Sequence, residues 1–238
     1  MNDSFNSARV VAVQDDLVTI AMATTAPRPI LKNEVLYILP KHREGERQER
    51  LKAEVLRVHG STADAQVFES TRGVGIGDPV EQTGELLSVK LGPGLLTQVY
   101  DGLQNPLAGL AAGYGTFLPR GAAVPPLDTE KTWSFQPTAR MGETLRAGDV
   151  IGTVQEGRFT HKIMVPFNQS GTVTLDWIQQ GSFTVDTVVA RVTDASGHNR
   201  SLTLAQDWPV RRALPELLLQ NRYCERLYPE EPMITTQR

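Results

Sequence analysis

Two stretches of this chain are variations on one another, and that internal echo constrains its fold most. "MGETLRAGDVIGTVQEG" (141–157) and "GTVTLDWIQQGSFTVDTVVARV" (171–192) each carry a Gly turn, a short β run, then a glycine step into another β run. Two similar halves of this kind suit a barrel-sandwich hybrid, in which two interlocked sheets are built from related pieces. "ARVTDASGHNRSLTL" adds a hairpin with Asp194-Ala-Ser-Gly197 as its turn.

The first seventy residues follow a second β pattern. "ARVVAVQDDLVTIAM" sets Asp15-Asp16 between two β-rich runs, a hairpin signal. "NEVLYIL", "LKAEVLRV" and "ADAQVF" follow, with His59-Gly60-Ser61 as a turn between the last two. Short strands at this spacing predict a small barrel or sandwich. The run 41–50, "KHREGERQER", nearly balances its charges and reads as a solvated loop.

Between the two β regions lies a Gly-rich connection. Gly73, Gly75 and Gly77 are followed by Asp78, so the dinucleotide pattern G-x-G-x-x-G is not completed; these glycines read as turn residues. "LGPGLL" (91–96) reads as a stiff hinge, with Pro93 fixing one φ between Gly92 and Gly94. "GLLTQVYDGL", which includes Asp101 and Gly102, has apolar residues at helical spacing and predicts a short helix ending near Asn105-Pro106. "LPRGAAVPPLD" reads as extended. The tail after Trp208 reads as loop with a helical turn or two near "PELLLQ".

Composition narrows the function. Among 238 residues, 24 basic side chains against 27 acidic ones give a net charge of −3, so no basic excess suggests nucleic acid. The single cysteine, Cys224, rules out an internal disulfide framework and fits a reducing compartment. The first residues lack a signal peptide's basic and apolar regions, and no apolar run approaches the ~18 residues of a membrane helix. The sequence reads as a cytoplasmic chain.

Catalytic constellations are missing from the pattern. His42, His59, His161 and His198 have no partners at metal-ligand spacing, and Cys224 has no CxxC partner. Neither a G-x-S-x-G elbow nor the phosphate loop G-x-x-x-x-G-K-[ST] occurs. No catalytic, cofactor-binding or metal residue is assigned. Lys162, in "GRFTHKIMVPF", sits ahead of an apolar segment and a Pro, much as the modifiable lysine of a biotin or lipoyl carrier does. Its neighbours His161 and Ile163 match neither the Met-Lys-Met of biotin carriers nor the Asp-Lys-Ala of lipoyl ones. It reads as an unmodified, solvent-facing strand lysine, with the carrier module as the alternative.

Several stretches, in order, resemble one family. "GVGIGDPVEQTGELLSVKLGPGLLTQVYDGLQNPL" resembles the barrel-to-core connection of the catalytic A subunit of V/A-type rotary ATPases. "FLPRG", "LDTEKTWSFQP", "IGTVQEG", "HKIMVPF" and "DWPVR" resemble the inserted bulge domain of that subunit, and "RLYPEEPMITTQR" resembles the stretch before its phosphate loop. The resemblance implies a mainly β fold in four parts: an N-terminal six-strand-type β-barrel (1–72), a linker into the nucleotide-binding domain (73–117), a bulge resembling a barrel-sandwich hybrid (118–190), and the incomplete start of an α/β nucleotide-binding domain (191–238).

The resemblance also implies a role. The full-length subunit couples ATP synthesis or hydrolysis, with MgATP or MgADP, to proton or sodium transport. Its partners are the B-type subunits and other A copies in a hexameric ring, and peripheral-stalk subunits reached through the bulge, all peripheral to the membrane. Nucleic acid is not expected as a partner, nor direct insertion into the membrane. The family continues into a phosphate loop after the stretch that ends here at Arg238, so this chain is expected to be an N-terminal portion, inactive by itself and without a cofactor of its own. A split-gene adaptor is the further alternative.

Overall fold

The computed structural model describes residues 8–22, 28–41, 48–96 and 98–213. They fall into two compact units. One is built on residues up to Ser88 with Ala108–Val124 and Pro209–Arg211; the other comprises Val89–Leu107 and Pro125–Trp208. The run 42–47, the tail 214–238 and, with them, His42 and Cys224 lie outside the described residues.

The first unit is a closed six-stranded barrel. Its strands are β1 (Ala8–Gln14), β2 (Leu17–Met22), β3 (Glu34–Ile38), β4 (Leu51–His59), β5 (Thr62–Val67) and β6 (Pro79–Leu86), in the order β1-β2-β5-β4-β3-β6, with β6 pairing back onto β1. Alternation decides the inside: Val18 and Ile20 on β2, Leu51, Ala53 and Val55 on β4, and Ala63, Ala65 and Val67 on β5 are all buried. Alanines recur there because a six-stranded barrel leaves little interior volume. Both expected hairpins form. Asp15 adopts φ +53° and Gly60 φ +59°, the left-handed backbone that a tight two-residue turn requires. The pairing of β1 with β2 slips between Val10 and Ala12, and beyond this bulge the side chains of β1 are exposed.

The barrel overruns its expected limit of residue 72. Closure needs β6, whose residues sit in what reads as linker, because only a sixth strand can pair with both β3 and β1. Residues 118–124 also differ from expectation: they belong with the barrel unit and not with the bulge. Arg120 holds them there through Glu49 and the carbonyls of Ser70 and Arg72, and Gly121 N–H donates to Glu69 at 2.6 Å.

The only helix among the described residues is α1 (Leu107–Tyr114), which begins after Pro106 and stops at Gly115 with φ +75°. The helix expected over 94–103 does not form. Asp101 Oδ1 accepts from the N–H groups of Leu103 and Asn105, and Gln104 takes φ +64°, so local side-chain bonds replace helical ones.

The second unit explains the sequence echo. After β7 (Ser88–Leu91) come β8 (Trp133–Pro137), β9 (Thr144–Arg146), β10 (Val150–Glu156) and β11 (Phe159–Met164). The related half supplies β12 (Thr172–Ile178), β13 (Gly181–Phe183), β14 (Val188–Asp194) and β15 (Asn199–Thr203). The sheets run β11-β10-β8-β13 and β15-β14-β12-β9. In each half the first, third and fourth strands make one sheet, and the second crosses to the edge of the other. The strand exchange makes the halves mutually dependent. β15 and the end of β14 lie beyond residue 190, so residues 191–203 complete this sandwich and do not open an α/β domain. β16 (Gln206–Pro209) pairs with β7, and Trp208 meets Phe167 edge-on at 5.6 Å.

Gly152 shows how tightly the sandwich closes. A Cβ there would run into the Phe135 ring and come within 2.6 Å of the Gln136 carbonyl, whereas one at Gly102 would meet nothing within 4 Å. Gly152→Ala is expected to destabilise the chain by about 3 kcal/mol through overpacking, and Gly102→Ala by less than about 0.5 kcal/mol. Urea unfolding midpoints compare the two; equal shifts would contradict the packing described.

Candidate functional site

The buried carboxylate of the second unit, Glu156, gathers a polar constellation around it. This residue ends β10 and lies in phase with the inward-facing Val154, so its carboxylate is carried inside, 2% exposed. A charge so placed needs donors from every side. Gly94 N–H and Leu96 N–H donate to Oε1 at 2.9 and 3.1 Å. His161, on the adjacent β11, faces Oε2 through Nδ1 at 3.1 Å.

The residues around "LGPGLL" are held at several further points. Gly92 is packed so closely that a Cβ would come within 3.0 Å of Ala205 and Leu127, and Gly94 adopts φ +106°. Pro93 lies between them and fixes the turn that aims the Gly94 N–H at Glu156. Asp101 organises the following turn, accepting from Leu103 and Asn105 backbone N–H and from the Asn105 side chain at 2.8 Å, while Gly102 stands in open space. The Gln104 amide bonds both the N–H and the carbonyl of Lys90 at 2.7 Å. Lys90 Nζ reaches Asp186 at 2.9 Å. Gly92, Pro93, Gly94 and Asp101 therefore belong to a tethered connector.

The chemistry available at this constellation is positional. The Glu156 oxygens are enclosed and already bonded, so no substrate proton is within their reach. Among the described residues no group of three or more His, Cys, Asp or Glu is placed to hold a metal ion. The glycines at 73–77 offer no phosphate cradle: Gly75 N–H donates to Asp78 Oδ2 at 2.8 Å and Gly77 N–H to the Val10 carbonyl. Gly73 and Gly77 take φ +81° and +89°, as turn residues do. Lys162 sits in the body of β11 opposite Thr153, half-buried, while the tip of that hairpin is Gly157-Arg158. A carrier lysine presented at a hairpin tip has a different placement. His59 lies 3.8 Å from Asp64 on the barrel surface, and His198 3.3 Å from Asp194.

Sequence reasoning missed Glu156 and His161 as partners. The available signal was a charged residue at an inward position of an otherwise apolar run, five residues before a histidine across a hairpin. Burial lowers the His161 pKa below its ordinary 6.5, and the charge and hydrogen bond of Glu156 oppose that only in part. The unfolded chain therefore binds this proton at a higher pH than the folded one. Stability must fall as pH drops from about 6.5 toward the lower folded value, and this limb is absent above 6.5. In His161→Gln the decline over that window is expected to flatten, read as urea midpoints against pH. An unchanged slope would remove His161 as its source.

Comparison with known proteins identifies both units. Residues 34–84 match the ATP synthase alpha/beta family, beta-barrel domain, and residues 124–211 match the ATPsynthase alpha/beta subunit barrel-sandwich domain. The V-type ATP synthase alpha chain of Treponema denticola is 50% identical over 190 residues, covering 79% of this chain and 31% of that protein. V-type ATP synthase alpha chain 1 of Treponema pallidum is 51% identical over the same shares. The V-type ATP synthase alpha chain of Borrelia garinii subsp. bavariensis is 44% identical over 231 residues, 97% of this chain and 37% of the relative. The chain thus spans about a third of the length of the curated relatives it matches. It belongs to the ATP synthase alpha/beta family, of which it carries the β-barrel and barrel-sandwich domains in the order found in V-type ATP synthase alpha chains.

Proposed function

We propose that this chain is the N-terminal part of the catalytic A subunit of a V/A-type ATP synthase or ATPase, which couples ATP synthesis or hydrolysis to transport of protons or sodium ions. The observation that carries this reading is collinearity: 97% of the chain aligns with a V-type ATP synthase alpha chain at 44% identity. In the complete subunit, MgATP or MgADP would sit on a phosphate loop, and hydrolysis would proceed by in-line attack of water with Mg²⁺ and a loop lysine stabilising the transferred charge. The part represented here has another task, which is assembly.

The barrel would join neighbouring A and B subunits in a hexameric ring. Closure leaves it no free strand edge, so it would associate through side chains on its outer wall, where Val11 and Val13 of β1 and Val58 of β4 are exposed. The barrel-sandwich unit would contact peripheral-stalk subunits. No helix of the described residues is long and apolar enough to cross a membrane, which fits a cytoplasmic subunit bound at the membrane periphery through its partners.

In a full-length A subunit carrying this sequence, deletion of residues 1–86 is expected to abolish the A/B ring in native mass spectrometry. Val11→Asp, which leaves the barrel core untouched, should weaken the ring in the same assay. Intact rings from both variants would overturn the assembly role. The 238-residue chain alone, which lacks the pattern G-x-x-x-x-G-K-[ST], is expected to show neither saturable micromolar binding of MgATP by calorimetry nor turnover above a buffer control. Either signal would mean that a nucleotide site exists on these two domains.

A further inference from the structure

A groove of about 330 Å³ opens at one end of the β15-β14-β12-β9 sheet, lined by Gln169, Asp194, His198, Asn199 and Arg200 over Val173 and Val192. Arg200 is its distinctive member. The guanidinium donates to two neutral acceptors, Gln169 Oε1 at 3.1 Å and Asn168 Oδ1 at 2.7 Å. Among the described residues no carboxylate pairs with it. Burial lowers its pKa, and no neighbouring acid offsets that effect. A half-buried cation with a rigid fork of donors and no counter-charge is a disfavoured arrangement unless something else completes it.

The one acid lining the groove does not complete it. Asp194 Oδ1 accepts from Ser196 N–H at 2.8 Å and His198 N–H at 2.9 Å, and Oδ2 faces His198 Nδ1 at 3.3 Å. Asn199 Oδ1 shares the single Thr193 hydroxyl with Asp176 Oδ2, each at 2.5 Å. The donor capacity that remains facing the groove therefore comes from the other guanidinium N–H groups and the Asn199 amide.

We propose that this groove is a carboxylate-binding site, in which Arg200 receives the carboxylate through its guanidinium and the Asn199 amide donates to it from the side. The charge balance selects the ligand class. One guanidinium beside the fixed negative charge of Asp194 suits a singly charged planar carboxylate and disfavours a doubly charged phosphate. The carboxylate has two sources, a free small acid or an acidic side chain of a partner protein. The site is independent of the role in ring assembly, and it involves none of the residues invoked there.

Amide NMR of the 238-residue chain tests the proposal, with acetate, an acetylated tetraglutamate peptide, phosphate and chloride as titrants at matched ionic strength. Saturable shifts confined to residues 198–200 and 168–169 are expected for the two carboxylate titrants, with dissociation constants in the millimolar range. Tighter binding of the peptide assigns the site to an acidic segment of a partner; tighter binding of acetate assigns it to a free acid. Arg200→Gln should weaken binding at least about tenfold, the loss of one charge-assisted interaction. Should that variant fail to fold, Asn199→Ala should still weaken binding about threefold, in keeping with one neutral hydrogen bond. Shifts no different from those with chloride, a preference for phosphate, or binding unaltered by the substitution would each overturn the proposal.

Discussion

A carboxylate taken out of water obliges a fold to bring donors to it, and three of the four such groups among the described residues lie on strands and organise this chain. Glu34, Glu54 and Glu156 are each at most 2% exposed. Glu34 is met by the Arg28 guanidinium at 2.7 Å and by the N–H groups of Leu31 and Gly84. Glu54, on β4, receives both Nε and Nη2 of Arg211 at 2.8 Å, a two-point pairing across 157 residues of sequence. Glu156 is met by Gly94, Leu96 and His161. In every case a strand charge fixes a segment that has no regular structure of its own. Removing the donors would leave an uncompensated charge in a dry interior, so these segments are strongly specified.

Within the second unit, strand exchange has a similar consequence. β9 completes the sheet of the opposite half and β13 returns the exchange, so neither half can close its sheets without the other. Phe135, Ile151, Leu175 and Val192, drawn from both halves, share one core. Gly152 permits the close approach at the centre, since any side chain there would displace Phe135. A unit made this way is suited to presenting a rigid surface.

Much was legible in the sequence because it depended on local rules. The hairpins at Asp15-Asp16, Gly60-Ser61 and 194–197 follow from turn chemistry between alternating β runs, and the echo between 141–157 and 171–192 announces two related halves. The same local rules misplaced the helix. Apolar spacing over 94–103 favoured one, yet Asp101 caps its own turn and Gln104 takes a left-handed backbone, so local side-chain bonds replace helical ones.

The sequence by itself determined the β character, the turns and, through collinear motifs, the family. Each is a property of residues close together in the chain. Tertiary structure alone decided where the barrel closes, which strands cross between sheets and which charges meet. Those outcomes depend on pairs such as Glu54 with Arg211 and β6 with β1, whose sequence separation leaves no local periodicity to read. Their energies arise only when the two partners are desolvated together, and that happens only in the folded chain.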